Sequence, residues 1–389
     1  MRKHQIRYYL DLYENEIKLI FMCLYRYRSL FDLSMILPLE IIHFIIVLYF
    51  DIKIKTKDSI YCGNHCSFIL HEENILIGGK NKNNRLGLNE KYKQDFNYGG
   101  VPCYKLRRYI YNEFNAKDIQ SVLLGKCHSF VVLKNGLLYG LGSNIFGQLG
   151  DETSTIYLSP KKINISNVLS VSCGQNHSMV ITEEGLFSTG RNNYYQLGLN
   201  DKCDRFGFLK INLSYIISVA CGGYYSMALT KEGLFGCGDN SSYPLGLENE
   251  IYKYFSKIDL LDVISFSCGK HHSIVFTQNG LFISGKYTKN NTIPKFKKLN
   301  TTGVNVISFS GGKYCSMILT TTGLYYCSTI TKEINEIRKR IDIKDIISFS
   351  CGNEHAIIKT KEGLYGYGSN IYGQIGLGES TTIPKKILY

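Results

Sequence analysis

Val122–Gly150, VLLGKCHSFVVLKNGLLYGLGSNIFGQLG, decides the fold of this chain. Four features matter in it: a β-rich run ending in a small residue and Gly125, then His128-Ser129, then a turn ending at Gly136-Leu137, then a Gly/Asn-rich stretch closing on Gln148-Leu149-Gly150. The unit recurs. Aligning on the step from a small or apolar residue to Gly gives Cys62-Gly63, Leu124-Gly125, Cys173-Gly174, Cys221-Gly222, Cys268-Gly269, Gly311-Gly312 and Cys351-Gly352. Eleven residues after each Gly stands a turn residue, Asn74 in the first copy and Gly136, Gly185, Gly233, Gly280, Gly323 and Gly363 in the others, those six each followed by Leu. Random similarity does not hold an interval of eleven through seven copies.

Each copy reads as a run of short strands. Val168–Cys173 alternates apolar and small residues as a buried strand does. Ser178–Thr182 is the next strand, and Glu183-Glu184-Gly185 turns it back into Leu186-Phe187. Lys-Asn-Gly, Lys-Glu-Gly and Gln-Asn-Gly at the same point elsewhere are hairpin signals, because Gly and Asn accept positive φ at little cost. A strand such as Ser159–Ile163 then starts the next unit, giving about four strands per copy. The copies are spaced by 62, 49, 48, 47, 43 and 40 residues, a period that with β-rich content means a propeller or a related closed array.

The pattern resembles the regulator-of-chromosome-condensation repeat family, whose members form seven-bladed propellers. The resemblance runs from about Asp51 to Tyr389 and is strong in Gly125–Gly150, Gly174–Gly198 and Gly352–Gly376. In the fifth and sixth copies Lys286–Lys298 and Ser328–Arg340 replace the Gln-Leu-Gly turn. The family's Trp before Gly is absent; Leu141, Thr189, Cys237, Ser284 and Tyr367 stand there. The fold implied is an all-β, seven-bladed β-propeller over residues 51–389. Its last residues, Ile383–Tyr389, repeat the Ser159–Ile163 element. A closed ring must join its first and last blades or leave an open sheet edge, so this C-terminal strand is expected to pair with the sheet of Ser59–Gly87.

Residues 1–50 read as a short α-helical segment. Leu10, Tyr13, Ile17, Ile20, Phe21 and Leu24 suit an amphipathic helix. Leu33–Phe50 is the most apolar stretch and has the length of a membrane span, but Pro38, Glu40 and His43 lie inside it, and membrane association is the lesser reading. Leu37-Pro38-Leu39-Glu40-Ile41-Ile42 resembles the opening of an F-box, which implies that Leu37, Pro38, Ile41 and Ile42 dock on a ubiquitin-ligase adaptor through residues 37–48. The alternative is an apolar helix covering one face or edge of the propeller. Pro in a first helical turn loses no hydrogen bond, and an acid suits the positive helix end in either case.

The 389 residues carry 45 Lys and Arg against 32 Asp and Glu, a balance of +13 that favours acidic partners or surfaces. Thirteen Cys without an evident leader read as reduced thiols in a cytoplasmic or nuclear setting. Four copies carry a His three residues after the Gly, His128, His177, His272 and His355. Residues at equivalent points of seven blades lie on a ring too wide for one metal ion, so these and the following serines are expected to be framework that hydrogen-bonds between blades. No Gly-x-x-x-x-Gly-Lys-Ser/Thr loop is present, and no repeat offers a base with its own orienting group, so neither a cofactor nor a catalytic set is assigned.

Departures from the repeat carry the partner expectations. The Asn89–Lys117 insertion holds a basic-aromatic cluster, Tyr104, Lys105, Arg107, Arg108, Tyr109 and Tyr111, of the residue types favoured at recognition loops. Pro160-Lys161-Lys162, Pro294–Lys298 and Pro384-Lys385-Lys386 place charge at one repeat position, for phosphates or as a solvated edge. The expected function is a non-enzymatic protein–protein interaction scaffold, possible in two forms: a substrate receptor for a ubiquitin ligase, or, as the resemblance also implies, an exchange factor for a small GTPase or a chromatin-binding propeller. The family's wedge-like insertion lies in a later blade than the one here.

Overall fold

The interval of eleven residues is one hairpin: a strand, its two-residue turn, and the start of the strand that returns. In the computed structural model, which describes residues 59–88, 106–286, 292–300, 306–312, 315–328 and 339–388, each copy is an antiparallel four-stranded sheet with its strands in chain order. The first blade is β1 (Ser59–Cys62), β2 (Cys66–His71), β3 (Asn74–Gly79) and β4 (Arg107–Tyr109). The second is β5 (Ile119–Leu124), β6 (His128–Leu133), β7 (Leu138–Ser143) and β8 (Ile156–Ile163). Five more blades follow on the same plan, ending with β25 (Ile346–Cys351), β26 (His355–Thr360), β27 (Gly363–Gly368) and β28 (Thr381–Lys386). The molecule is an all-β, seven-bladed propeller.

Two expectations are corrected here. Ser159–Ile163 does not open a unit; it lies in β8, the outer strand of its blade, paired to β7 with Gly140 opposite Lys161. The C-terminal strand likewise belongs to its own blade: β28 pairs with β27, not with the sheet of Ser59–Gly87. Every blade is filled by four consecutive strands, so among the described residues no strand is left over to exchange across the joint.

The ring closes through side chains instead. Alternation along each second strand sends neighbouring residues to opposite faces of the blade. Phe130 therefore packs toward the third blade with Val171 and Val180, while Val131 packs toward the first with Phe68 and Ile77. The same division holds at Met179 and Val180, and at Ile274 and Val275. At the joint between last and first blades, Ile357, Leu364, Ile375 and Ile387 bury against Ile69, Leu76 and Leu106. Inner strands are tied in the same manner around the ring. The Cys221 amide donates to Ser172 Oγ at 2.8 Å, that of Cys351 to Ser310 Oγ at 3.2 Å, and that of Cys62 to Ser350 Oγ of the last blade at 3.0 Å. The closing joint thus repeats the chemistry of the internal ones.

The loop from third to fourth strand is held from within by a buried Asn, a role hidden in the Gly-x-Asn signature. Asn240 is fully buried; its Oδ1 accepts the Leu245 amide at 2.9 Å and its Nδ2 donates to the carbonyls of Leu247 and Asn249 at 2.8 and 2.7 Å. Asn144, Asn192 and Asn370 take the amide five residues on in the same way. Removing such a side chain takes the partner from three backbone groups of the loop, the buried Leu245 amide among them. Asn240→Ala is expected to lower stability by about 2–3 kcal/mol and to expose Ser241–Glu250 to protease. Denaturant melts and limited proteolysis check this, and an unchanged midpoint with an intact loop counts against it.

Candidate functional site

The repeated His and Ser are drawn together across every joint where they occur. His128 Nε2 lies 2.8 Å from Ser178 Oγ, His177 from Ser226 at 2.9 Å, His272 from Ser316 at 3.1 Å, and His355 from Ser67 at 3.0 Å across the closing joint. Tyr225 supplies the hydroxyl in their place, 2.9 Å from Ser273 Oγ. Three of these serines donate onward to a Gln carbonyl: Ser178 to Gln148 at 2.7 Å, Ser226 to Gln196 at 2.8 Å and Ser67 to Gln374 at 2.7 Å. A serine whose hydrogen is committed to a carbonyl can only accept from the imidazole. The imidazole therefore donates through Nε2 and cannot act as a base toward that serine, the reverse of a nucleophilic pair.

Burial keeps these rings neutral. It holds His128, His272 and His355 down to about 3 and His177 down to about 4, with His177, His271 and His65 adding smaller repulsions on His128, His272 and His355 respectively. The glycine of the Cys-Gly-x-x-His signature serves space rather than backbone conformation. A β-carbon on Gly174 would sit 2.1 Å from Cε1 of His177, and one on Gly352 2.1 Å from that of His355. The preceding cysteines are inert: burial pushes the Cys62 and Cys221 thiols up to about 12. Among the described residues no three His, Cys, Asp or Glu side chains stand close enough to hold a metal ion.

The insertion cluster is divided by the structure. Arg107 and Arg108 are exposed on β4. Tyr109 and Tyr111, read from the sequence as partner-binding, are 6% and 4% exposed and belong to the core between the first two blades. Tyr111 stacks on Phe68 at 6.2 Å and donates to the Leu86 carbonyl at 2.5 Å. An aromatic with a paired hydroxyl in a blade joint is packing, not recognition. Leu37, Pro38, Ile41, Ile42, Tyr104 and Lys105 lie outside the described residues. So does Leu33–Phe50; among the described residues no helix is long and apolar enough to cross a membrane.

The Pro-Lys-Lys stretches fall on outer strands, and each spends a lysine locally. Lys161 pairs with Asp151 at 3.1 Å, Lys295 with Glu248 at 3.2 Å and Lys385 with Glu379 at 2.6 Å. They form a solvated edge.

The unassigned chemistry gathers at one end of the central channel. There the seven Gly steps and the residues after them enclose a cavity of about 180 Å³. Lys126, Gln175, Lys270, Asn64 and Asn353 supply its polar lining, and no carboxylate is among the described lining residues. The third-to-fourth-strand loops rise from the same end, since the amides of Ser143, Arg191 and Ser369 bond the carbonyls of Cys127, Asn176 and Glu354. Around the mouth they set aromatic rings beside cations: Arg191 stands 4.7 Å from the Phe146 ring and Lys80 4.4 Å from that of Tyr372. Tyr194 and Tyr224 pair at 4.9 Å. At the place of Gly147, the neighbouring blades hold Tyr195 and Tyr243 at φ 62° and 59°, a conformation that costs a bulky residue about 1 kcal/mol or more. Sequence reading passed over Lys126, Gln175 and Lys270 because they occupy the variable place of Cys-Gly-x-x-His; that variability was the available signal.

Comparison with known proteins agrees with this architecture. The family model described as the regulator of chromosome condensation (RCC1) repeat matches residues 135–181 and 183–229, and a second model of that description matches 168–196, 216–243 and 346–374. The human probable E3 ubiquitin-protein ligase HERC3 is 27% identical over 135 residues, which is 34% of this chain and 12% of HERC3. The guanine nucleotide exchange factor SRM1 of Saccharomyces cerevisiae is 25% identical over 136 residues, 33% of this chain and 26% of that protein. The chain therefore matches only a minor part of either relative. The crystal structure of human WBSCR16 superposes with a TM-score of 0.68 at 21% identity, covering 82% of this chain and 94% of that one, and shows the same fold.

Proposed function

We propose that this seven-bladed propeller, built of regulator of chromosome condensation repeats, is a non-enzymatic platform that holds a protein partner at the end bearing the channel mouth. One observation carries the reading: the repeated His–Ser pairs are spent on the frame, while among the described residues the channel mouth combines a cavity, lysine side chains and a rim of aromatic rings. Aromatic and Arg side chains on a rigid scaffold are what binding surfaces use. In its more specific form the platform is the substrate receptor of a ubiquitin ligase in the cytoplasm or nucleus, with residues 37–48 recruiting the adaptor; the partial match to HERC3 supports that context. The partial match to SRM1 supports the second form, an exchange factor for a small GTPase or a chromatin-bound propeller.

Affinity capture from cells with mass spectrometry separates the two. The receptor form expects the ligase adaptor with the full-length chain and its loss on Leu37→Ala with Pro38→Ala. Recovery of a small GTPase or histones, unaffected by those changes, overturns the receptor form in favour of the second. Capture of no macromolecule by either chain overturns the platform itself.

A further inference from the structure

We propose that residues 191–204, the third-to-fourth-strand loop of the third blade, form with the outer strand of the fourth blade (Ile251–Lys257) a binding surface for single-stranded nucleic acid. Phosphates sit at Lys202 and Lys253, and bases stack on Tyr194 and Tyr254. The inference goes beyond the platform reading and stands without it.

Its starting point is a departure from the repeat. Gly147 and Gly373 turn the corresponding loops of their blades at φ 76° and 74°. The third blade puts Tyr195 there at φ 62°, a conformation that a bulky side chain adopts only against a cost. Such strain persists where its surroundings hold it, and it gathers at binding sites. What the Tyr195 ring collects is two cations. The Lys202 ammonium stands 5.4 Å from its centroid, and that of Lys253, on the neighbouring blade, 5.9 Å. Asn200 ties the two elements together, its amide donating to the Lys253 carbonyl at 3.0 Å. Both lysines are exposed, and among the described residues neither has an acid partner. Two ammonium groups gathered at one ring repel each other, and an anion between them replaces that repulsion with attraction.

The acids of the loop are already engaged. Asp201 takes the Cys203 amide at 2.8 Å and the Arg205 guanidinium at 2.5 Å, and Asp204 takes the Asn192 amide at 2.7 Å. Glu248 reaches across the next joint to Lys295 of the fifth blade at 3.2 Å. Glu250, exposed and nearest in sequence to Lys253, opposes an anion there and weakens the attraction. At the start of the loop Arg191 adds a third cation, 4.7 Å from the Phe146 ring of the second blade.

The rings select the occupant. Tyr194 is 38% exposed and pairs with Tyr224 at 4.9 Å, while Tyr254, beside Lys253, is 61% exposed. An acidic peptide would use the lysines and leave these faces idle. Every base has a π-face that can stack on such a ring, and stacking there requires bases freed from a duplex. A few cations match a few phosphates, which suits a short single strand.

The test is fluorescence anisotropy of the full-length chain with a labelled single strand of about twelve nucleotides, its duplex, and an Asp/Glu-rich peptide. The single strand is expected to bind about tenfold or more tightly than either of the others. Lys202→Ala with Lys253→Ala should reduce the slope of log affinity against log salt by about 1.4, the release of two phosphates' counterions. Tyr194→Ala with Tyr254→Ala should weaken binding about tenfold and leave that slope in place. The melting temperature of the lysine variant should stay within about 2 °C of the parent, because both side chains are exposed. No binding of the single strand, or equal affinity for the duplex or the acidic peptide, overturns the surface. So does an unchanged salt slope in the lysine variant, indifference to the tyrosine variant, or displacement by inorganic phosphate at the strand's own concentration.

Discussion

Acidification from pH 7 to pH 5 should remove on the order of 8 kcal/mol of stability through four side chains that never see solvent. His128, His177, His272 and His355 are neutral in the folded ring, held down to between about 3 and about 4 by burial. In the unfolded chain each titrates near 6.5. The unfolded state therefore binds more protons throughout the interval from about 6.5 down to about 4. Stability is fully present above the unfolded value and falls as pH drops, by about 1.4 kcal/mol per unit for each histidine. The sign follows from the hydrogen bonds as well. The serine behind each imidazole can accept from Nε2–H whether or not the ring is charged, yet the buried cation gains no carboxylate partner. Thermal melts from pH 7.5 to pH 4.5 measure the slope. Replacing the four with Gln, which keeps a donor near the Nε2 position, should flatten it, and the same steep slope in that variant would falsify the assignment. Blade four already carries a neutral donor at this place, Tyr225.

Removing Thr382–Tyr389 should cost about 5 kcal/mol and lower the melting temperature by about 5–10 °C, given an unfolding entropy of about 2 cal/mol/K per residue. The truncation strips β28 from β27, where Tyr365 faces Lys386 and Gly366 faces Lys385. It also takes away Ile387, 2% exposed between Leu364, Ile375 and Leu106. Leu106 belongs to the first blade, so the loss is felt at the joint that closes the ring. Ile387→Ala alone should give about 2–4 kcal/mol of that effect, which isolates the apolar contact from the strand's backbone bonds. A truncated chain that melts with the parent would mean that the joint is held without its outer strand.

The repeat was legible because its signals are local. Hairpin turns at Gly136 and Gly185 need positive φ, with values of 80° and 130°, and glycine accepts it freely. The erosion of the fifth and sixth copies was legible in the same way. Tyr109 and Tyr111 were misread because period and polarity do not distinguish an outer strand from a loop: Arg107–Tyr109 is three residues long, and its Tyr109 and the following Tyr111 look from the sequence like recognition aromatics. Only the tertiary structure stacks Tyr111 on Phe68 and sets Tyr109 against Tyr111 in the core between the first two blades.

The chain's amino-acid order by itself determined the number of blades, the place of each hairpin, and the framework role of the His and Ser, since each depends on residues within one repeat or on the sameness of seven. Tertiary structure alone decided the rest. It placed Ser159–Ile163 at the end of a blade and β28 in its own sheet, because which strand borders a sheet is settled by what packs outside it. It also gathered Lys126, Gln175 and Lys270, from three different repeats, around one cavity. Residues 49 and 144 positions beyond Lys126 join it there through rotation about the propeller axis, a relation between blades that no single repeat records.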